Sequence, residues 1–339
     1  MSAKTTTVDI TSSDDTGALA VHRMGLAAYI NCFRGIVWRE VLRFLHQRER
    51  FLSAMVRPLI WLFIFAAGFR QVLGMSPIPP YTTYVLYETF VTPGLVGMIL
   101  LFNAMQSSLS MVYDRETGAM RTLLVSPFPR SFLLVSKLSG GVLVAMLQAY
   151  VFLMIARLWE AWTWYSPLID AFTVSGVGGA FTAIYSNLAA TLSQFANVDP
   201  LPMGYVTVMP ALILSGLMLG SIALFMSSVI KQLENFAGVM NFVIFPMFFM
   251  SSALYPIWKL RESSPFLALL AELNPFTHAV ELIRFALYGK LGPVLESGNT
   301  DLTHFYVVLG CTVLFLGAAI FAYNPSKGLI ARRGGPGGG

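Results

Sequence analysis

Long apolar runs dominate the pattern of this chain, and short polar stretches separate them. A helix needs about 20 predominantly apolar residues to cross the ~30 Å hydrocarbon core of a bilayer. Six runs reach or approach that length, at about 56–73, 88–112, 138–158, 206–230, 236–255 and 302–323. The pattern therefore predicts an all-α integral membrane protein with six transmembrane helices, which form a single membrane domain over residues 26–325.

Composition agrees with this class. Of the 339 residues, 56% are hydrophobic and only 12% are charged, whereas soluble domains carry about 25% charged residues. The polar ends, residues 1–25 and 326–339, are predicted to be flexible cytoplasmic tails, because they lack an apolar run. The two cysteines and four histidines have no spacing typical of a disulfide framework or a metal site.

The distribution of positive charge predicts the orientation. If both termini are cytoplasmic, 16 of the 22 Lys and Arg residues lie on the cytoplasmic side of the six spans. Short cytoplasmic loops carry such an excess in multi-pass proteins. The net charge of +5 then needs only anionic membrane lipids as its partner, and no nucleic acid.

One segment fits this topology less simply. Residues 159–205 are moderately apolar, rich in Gly, Ser and Thr, and free of Lys and Arg. We interpret them as an insertion on the outer side, either a short helical subdomain or a re-entrant segment. A seventh span is the alternative, although it would move Lys231 or the basic C-terminal tail to the outer side.

An amphipathic helix is predicted before the first span. Apolar residues that include Trp38 recur there at helical spacing, whereas Arg39 and Arg43 occupy the other face. Such a helix lies in the membrane surface. It serves either as a topological anchor or as a lever and docking surface for a partner.

A second amphipathic helix is predicted on the outer side, before the last span. Asn274 is positioned to cap it, and Pro275 suits its first position. His278, Glu281 and Arg284 recur every three residues on its polar side. Two interpretations stay open: Glu281 and Arg284 form an exposed ion pair, or these polar groups line the exit of a substrate path.

Two residues of the fifth run are further candidates for a pathway or gate. Pro246 removes a backbone hydrogen bond and is expected to kink the helix. Asn241 can form a hydrogen bond across helices, as polar residues within membranes do.

The stretch after the second run concentrates charge. Placing Asp114, Arg115, Glu116, Arg121 and Arg130 in hydrocarbon would cost roughly 2.5–3.5 kcal/mol each, so we place them in water at the cytoplasmic side. Within this loop a short amphipathic helix is predicted, which must end near Pro127. Such a stiff element is more than a connector needs and indicates a partner-binding surface.

The tetrapeptide Leu138–Gly141, LSGG, occurs in ATP-binding domains, but its context here is different. It begins an apolar helix, and the chain contains no phosphate-binding G-x-x-x-x-G-K-[ST] loop. Small residues allow close packing of membrane helices. We therefore predict a packing role for LSGG and no ATP hydrolysis by this chain.

These stretches together resemble the type-2 ABC transporter permeases, which include nodulation lipo-oligosaccharide and daunorubicin-type drug exporters. The resemblance covers roughly residues 35–325, and residues 159–205 depart from it because the family has only a short connection there. The matching stretches are TPGLVGMI, YDRETGAMRTLLVSPFPRSFLLVSKL, NFVIFPMFFMSSALYP and LNPFTHAVELIRFALYG.

The resemblance implies a bacterial inner-membrane exporter built from two permeases, here a homodimer, with a separate ATPase subunit on the cytoplasmic side. The ATPase subunit would bind ATP and Mg²⁺, so this chain itself would hold no cofactor. The surface helix and the charged loop would contact the ATPase. Carried onto this sequence, the coupling residues are Glu116, Gly118, Arg121, Leu124, Pro127 and Arg130.

Two other classes stay open as alternatives. An ion-coupled secondary transporter usually needs ionisable groups within the membrane, and the six predicted spans hold almost none away from their ends. An integral membrane enzyme would need His, Asp or Glu clustered near one interface, where only His278 and Glu281 come close together in sequence.

Overall fold

A computed structural model describes residues 25–46, 54–64, 87–117, 128–163, 203–230, 232–288 and 300–322. The all-α prediction is confirmed, since these residues form ten helices and no strand. The helices are α1 Leu26–His46, α2 Ala54–Ile64, α3 Tyr87–Glu116, α4 Arg130–Thr163, α5 Met203–Val229, α6 Leu233–Phe249, α7 Ile257–Ser263, α8 Pro265–Leu273, α9 Pro275–Tyr288 and α10 Thr300–Ala322.

Four of these helices are long and apolar enough to cross a membrane. A fifth crossing is present if α8 and α9, which meet at a bend of 76°, count as one broken span. The helices α2 and α6 are apolar but shorter. The described part of the chain thus supports four or five spans, and the count of six stays a prediction. The four spans are Phe90–Asp114, Arg130–Arg157, Gly204–Val229 and Leu302–Ala322.

The fifth apolar run forms a shorter helix than its length predicts. The helix α6 ends at Phe249, and the residues up to Tyr255 form a turn. The Asn274 side-chain amide, from the start of α9, donates hydrogen bonds to the carbonyls of Met247 and Met250, at 2.7 and 2.9 Å. These carbonyls at the end of α6 therefore have a partner that allows the helix to stop there.

The centre of the bundle is formed by α3 and α5. The helix α3 packs against α4, α5, α6 and α9, while α5 also contacts α10. Small residues allow these close crossings: a Cβ added at Gly216 of α5 would meet the side chain of Val142 in α4 at 3.0 Å. The buried core of α3 includes Leu95, Val96, Leu100, Leu101 and Met105.

The helix α10 lies at the periphery of the bundle. Its apolar side chains Val313, Leu314 and Phe321 are 67%, 63% and 93% exposed. Large exposed apolar side chains along one helix suit contact with lipid, as expected for the last span.

Several predicted elements lie outside the described residues. These are the short helix of the charged loop (118–127), most of the insertion at 159–205, and almost all of both predicted tails.

Candidate functional site

Charged side chains join three helices at the end of the bundle where α3 stops. Lys137 of α4 donates a hydrogen bond of 2.8 Å to the Asp114 carboxylate, and the Lys137 side chain is only 6% exposed. The backbone N–H of Leu233, the first residue of α6, donates to Glu116 at 2.8 Å. A carboxylate at a helix N-terminus satisfies a free donor and opposes the positive end of the helix dipole. We call Asp114, Glu116, Lys137 and Leu233 the charged junction.

The charged junction flanks the predicted coupling loop. Glu116 stands just before this loop, and Arg130, exposed at the first position of α4, stands just after it. The other predicted coupling residues, Gly118, Arg121, Leu124 and Pro127, lie outside the described residues. Any displacement of this loop would therefore act directly on the ends of α3 and α4, and through Glu116 on the start of α6.

The helix α1 packs on α4 beside the charged junction. A Cβ at Gly140 would meet the Glu40 side chain at 3.1 Å, and one at Gly141 would meet the Ser107 Oγ at 2.8 Å. The packing role predicted for LSGG is thereby confirmed, because these glycines allow α1 and α3 to approach α4 closely. At the start of α1, Tyr29 contacts Phe132 edge to face, with ring centroids 5.0 Å apart.

The predicted surface-helix residues of α1 lie away from this contact. Trp38 is 61% exposed, and Arg39 and Arg43 approach the Glu40 carboxylate at 3.2 and 3.5 Å. The side of α1 turned to the bundle contains Glu40 and the buried Phe44. The exposed apolar side leaves the membrane-surface role of α1 a prediction.

At the opposite end of α3, an ion pair is fully enclosed. Arg284 donates from Nη1 to the Glu281 carboxylate, with the two side chains 2% and 4% exposed. Its Nη2 donates to the carbonyl of Ser252 at 2.9 Å, and its guanidinium carbon lies 4.2 Å from the centre of the Phe90 ring. The interpretation of Glu281 and Arg284 as a surface pair is therefore wrong.

The helix α9 is buried for a physical reason that extends beyond its apolar stripe. Phe276, Val280 and Ile283 are inaccessible to solvent, and α9 packs against α3, α5 and α10. Its polar side can also be buried because backbone carbonyls and an aromatic ring compensate the charge of Arg284. The predicted cap is confirmed: the Asn274 Oδ1 accepts a hydrogen bond from the N–H of Phe276 at 3.0 Å.

His278 connects α9 to α10 through a second histidine. Its Nε2 donates to the carbonyl of Glu272 at 2.9 Å, and its Nδ1 lies 2.8 Å from the Nδ1 of His304. Only one of the two Nδ1 atoms can carry a proton while this contact holds.

The candidate pathway residues do not converge on one site. Asn241 and Pro246 lie on the exposed side of α6, whereas Glu281 and Arg284 are enclosed and His278 is half-buried. Among the described residues, no group of three or more His, Cys, Asp or Glu side chains could hold a metal ion.

Comparison with known proteins defines the class of this helical membrane protein. The family model for ABC-2 type transporters matches residues 31–198 and 161–288, and the chain belongs to this family. It is thus the membrane subunit of an ABC transporter, a transport subunit rather than an enzyme.

Individual relatives carry matching names. The chain is 25% identical over 260 residues to a putative transport permease ycf38 of Pyropia yezoensis, covering 76% of this chain and 74% of the relative. It is 31% identical over 148 residues to the probable multidrug ABC transporter permease YbhR of Escherichia coli K12, covering 40% and 37%. It is 25% identical over 173 residues to nodulation protein J of Neorhizobium galegae, covering 48% and 63%.

Proposed function

We propose that this chain is the permease of an ABC exporter that moves an amphiphilic, drug-like, lipid or glycan substrate outward across the bacterial inner membrane. In this proposal it pairs with a second copy of itself as a homodimer. A separate ATPase subunit binds each copy from the cytoplasm, where both termini lie. ATP and Mg²⁺ are bound and used by that subunit, and this chain supplies the path and the lever.

The observation that carries the proposal is the charged junction. The Asp114–Lys137 pair and the Glu116 cap connect three helices directly to the two ends of the predicted coupling loop. The surface helix α1 joins the same end through Tyr29 and Glu40. A partner that pushes on the loop and on α1 would therefore move α3, α4 and α6 together.

Movement at this end can reach the other side of the bundle through α3. This helix continues from the charged junction to Phe90, which contacts Arg284 through both its ring and its carbonyl. Closure of the ATPase pair on ATP would shift the junction, and α3 would pass that shift to the buried ion pair and the bent helices α8 and α9. We assign the outward release of substrate to repacking there.

The names of the relatives support the substrate class only broadly. One is called a probable multidrug permease and another a nodulation protein. Both names fit export of amphiphiles, which is the chemistry that we propose for this chain.

The proposed ATPase contact gives the first prediction. Replacement of Arg121 by glutamate reverses a charge in the coupling loop, so we expect about tenfold or weaker association with the ATPase subunit and unchanged membrane insertion. Co-purification of the two subunits measures the association. The matched control is Arg157→Glu, because Arg157 is exposed at the other end of α4. Equal recovery of the ATPase with wild type and Arg121→Glu would contradict the coupling role.

A further inference from the structure

A polar stripe runs along α3 where a membrane helix would be expected to stay apolar. Asn103, Gln106, Ser107 and Ser110 recur at intervals of three and four residues, so they lie on one face of the helix. All four are half-buried and fall within the span Phe90–Asp114. Polar groups within a membrane are costly and mark binding sites and pathways more often than packing.

This stripe forms one wall of a cleft that α1, α2 and α4 complete. The cleft has a volume of about 570 Å³, which lies in the range of small-molecule sites. Glu40 and Arg43 of α1 line one part of it, and Gln148 of α4 lines another. It shares no lining residue with the charged junction or the buried ion pair.

The wall formed by Gln148 offers an unused hydrogen-bond donor. Gln148 is 1% exposed, and its Oε1 accepts a hydrogen bond from the Asn103 side-chain amide. That amide also donates to the carbonyl of Ile99 at 3.2 Å, which fixes its orientation. The orientation of Gln148 is then fixed as well, and its Nε2 has no hydrogen-bond acceptor. A buried donor without an acceptor is costly, so its retention in a cleft indicates an acceptor that arrives with a ligand.

We propose that this cleft binds the polar part of a phosphate-bearing amphiphile with an ester or amide carbonyl. The carbonyl accepts the free hydrogen bond of Gln148, and the phosphate lies against Arg43. Arg43 is 41% exposed and only 3.5 Å from Glu40, so its guanidinium has donors left for a second anion. The hydrocarbon part of the ligand extends along the exposed apolar surface of the bundle. This inference rests on the proposed export function and narrows its substrate class.

The test is photo-crosslinking of the full-length chain in phosphatidylcholine nanodiscs. The probe is phosphatidylglycerol with a diazirine close to its ester group, and the crosslinked peptides are mapped by mass spectrometry. We expect labelling between residues 103 and 148 in wild type, and a five- to tenfold loss in Gln148→Leu, as removal of one hydrogen bond to a ligand predicts. Thermal stability of Gln148→Leu should equal or exceed that of wild type, because the substitution removes an unpaired donor.

Ser215→Ala is the matched control, since the Ser215 Oγ is also buried without a partner but does not line the cleft. Labelling of this variant should match wild type. Undiminished labelling of Gln148→Leu, an equal loss in Ser215→Ala, or equal labelling by a diazirine-bearing alkylamine would each overturn the proposal. The assay contains no ATPase subunit, so its failure is separate from a failure of the Arg121 experiment.

Discussion

Replacement of Arg284 by methionine is expected to lower the free energy of unfolding by about 3–5 kcal/mol, the range measured when one partner of a buried ion pair is removed. Methionine keeps most of the side-chain volume, so the loss is electrostatic. The Glu281 carboxylate would stay 4% exposed without its cation, and the carbonyls of Phe90 and Ser252 would lose their donor. Equilibrium unfolding of the purified chain in mixed micelles measures the change.

Two further variants separate this explanation from a simple loss of packing. The double variant Glu281→Leu with Arg284→Met removes both charges and should recover most of the loss, because no uncompensated ion remains. Arg261→Met breaks the exposed pair with Glu272, whose side chains are 55% and 40% exposed, and should change stability by less than about 1 kcal/mol. A double variant as unstable as Arg284→Met alone would contradict the electrostatic account.

Gly94→Ala is expected to destabilise the protein by about 1–3 kcal/mol, the usual range for overpacking. An ideal Cβ at Gly94 would lie 2.5 Å from the carbonyl oxygen of Ala253 and 2.8 Å from its Cα. These atoms belong to the turn after α6, and a backbone cannot rotate away as a flexible side chain can. The same unfolding measurement reports the effect.

The control for this variant predicts the opposite sign. Gly238 of α6 has no atom within 4 Å of its ideal Cβ, and alanine in a helix interior is favoured over glycine by about 1 kcal/mol. Gly238→Ala should therefore be neutral or stabilising. Equal effects of the two substitutions would show that α3 does not pack against the turn as closely as described.

The apolar runs predicted the helices well, because the thickness of a bilayer imposes a length that can be counted in the sequence. The cap at Asn274 was equally accessible, since it needs only neighbouring residues. The end of α6 was not: the run remains apolar to Tyr255, and the amide that allows the helix to stop comes from Asn274, 27 and 24 residues from its two acceptors.

The burial of Glu281 and Arg284 could not be predicted for a related reason. Their spacing places both on one face of α9, but spacing does not show whether water or another helix covers that face. The deciding partners, Phe90 and Ser252, are 194 and 32 residues away from Arg284. The argument that the interior holds almost no ionisable groups is corrected accordingly.

The Asp114–Lys137 pair is a residue contact that sequence reasoning missed, although a signal existed. Lys137 stands at the start of an apolar run, where a cation needs a partner, and Asp114 ends the preceding run. Because these two runs are consecutive and antiparallel, the two residues meet at the same end of the bundle.

The central claim is that an ATPase subunit drives transport through this chain. The direct test reconstitutes the chain in vesicles with and without its ATPase subunit, and follows a fluorescent phosphate-bearing amphiphile across the membrane. The account predicts transport that requires both the ATPase subunit and hydrolysable ATP, and no transport when a proton gradient is imposed on the chain alone. Transport driven by that gradient in the absence of the ATPase subunit would contradict it.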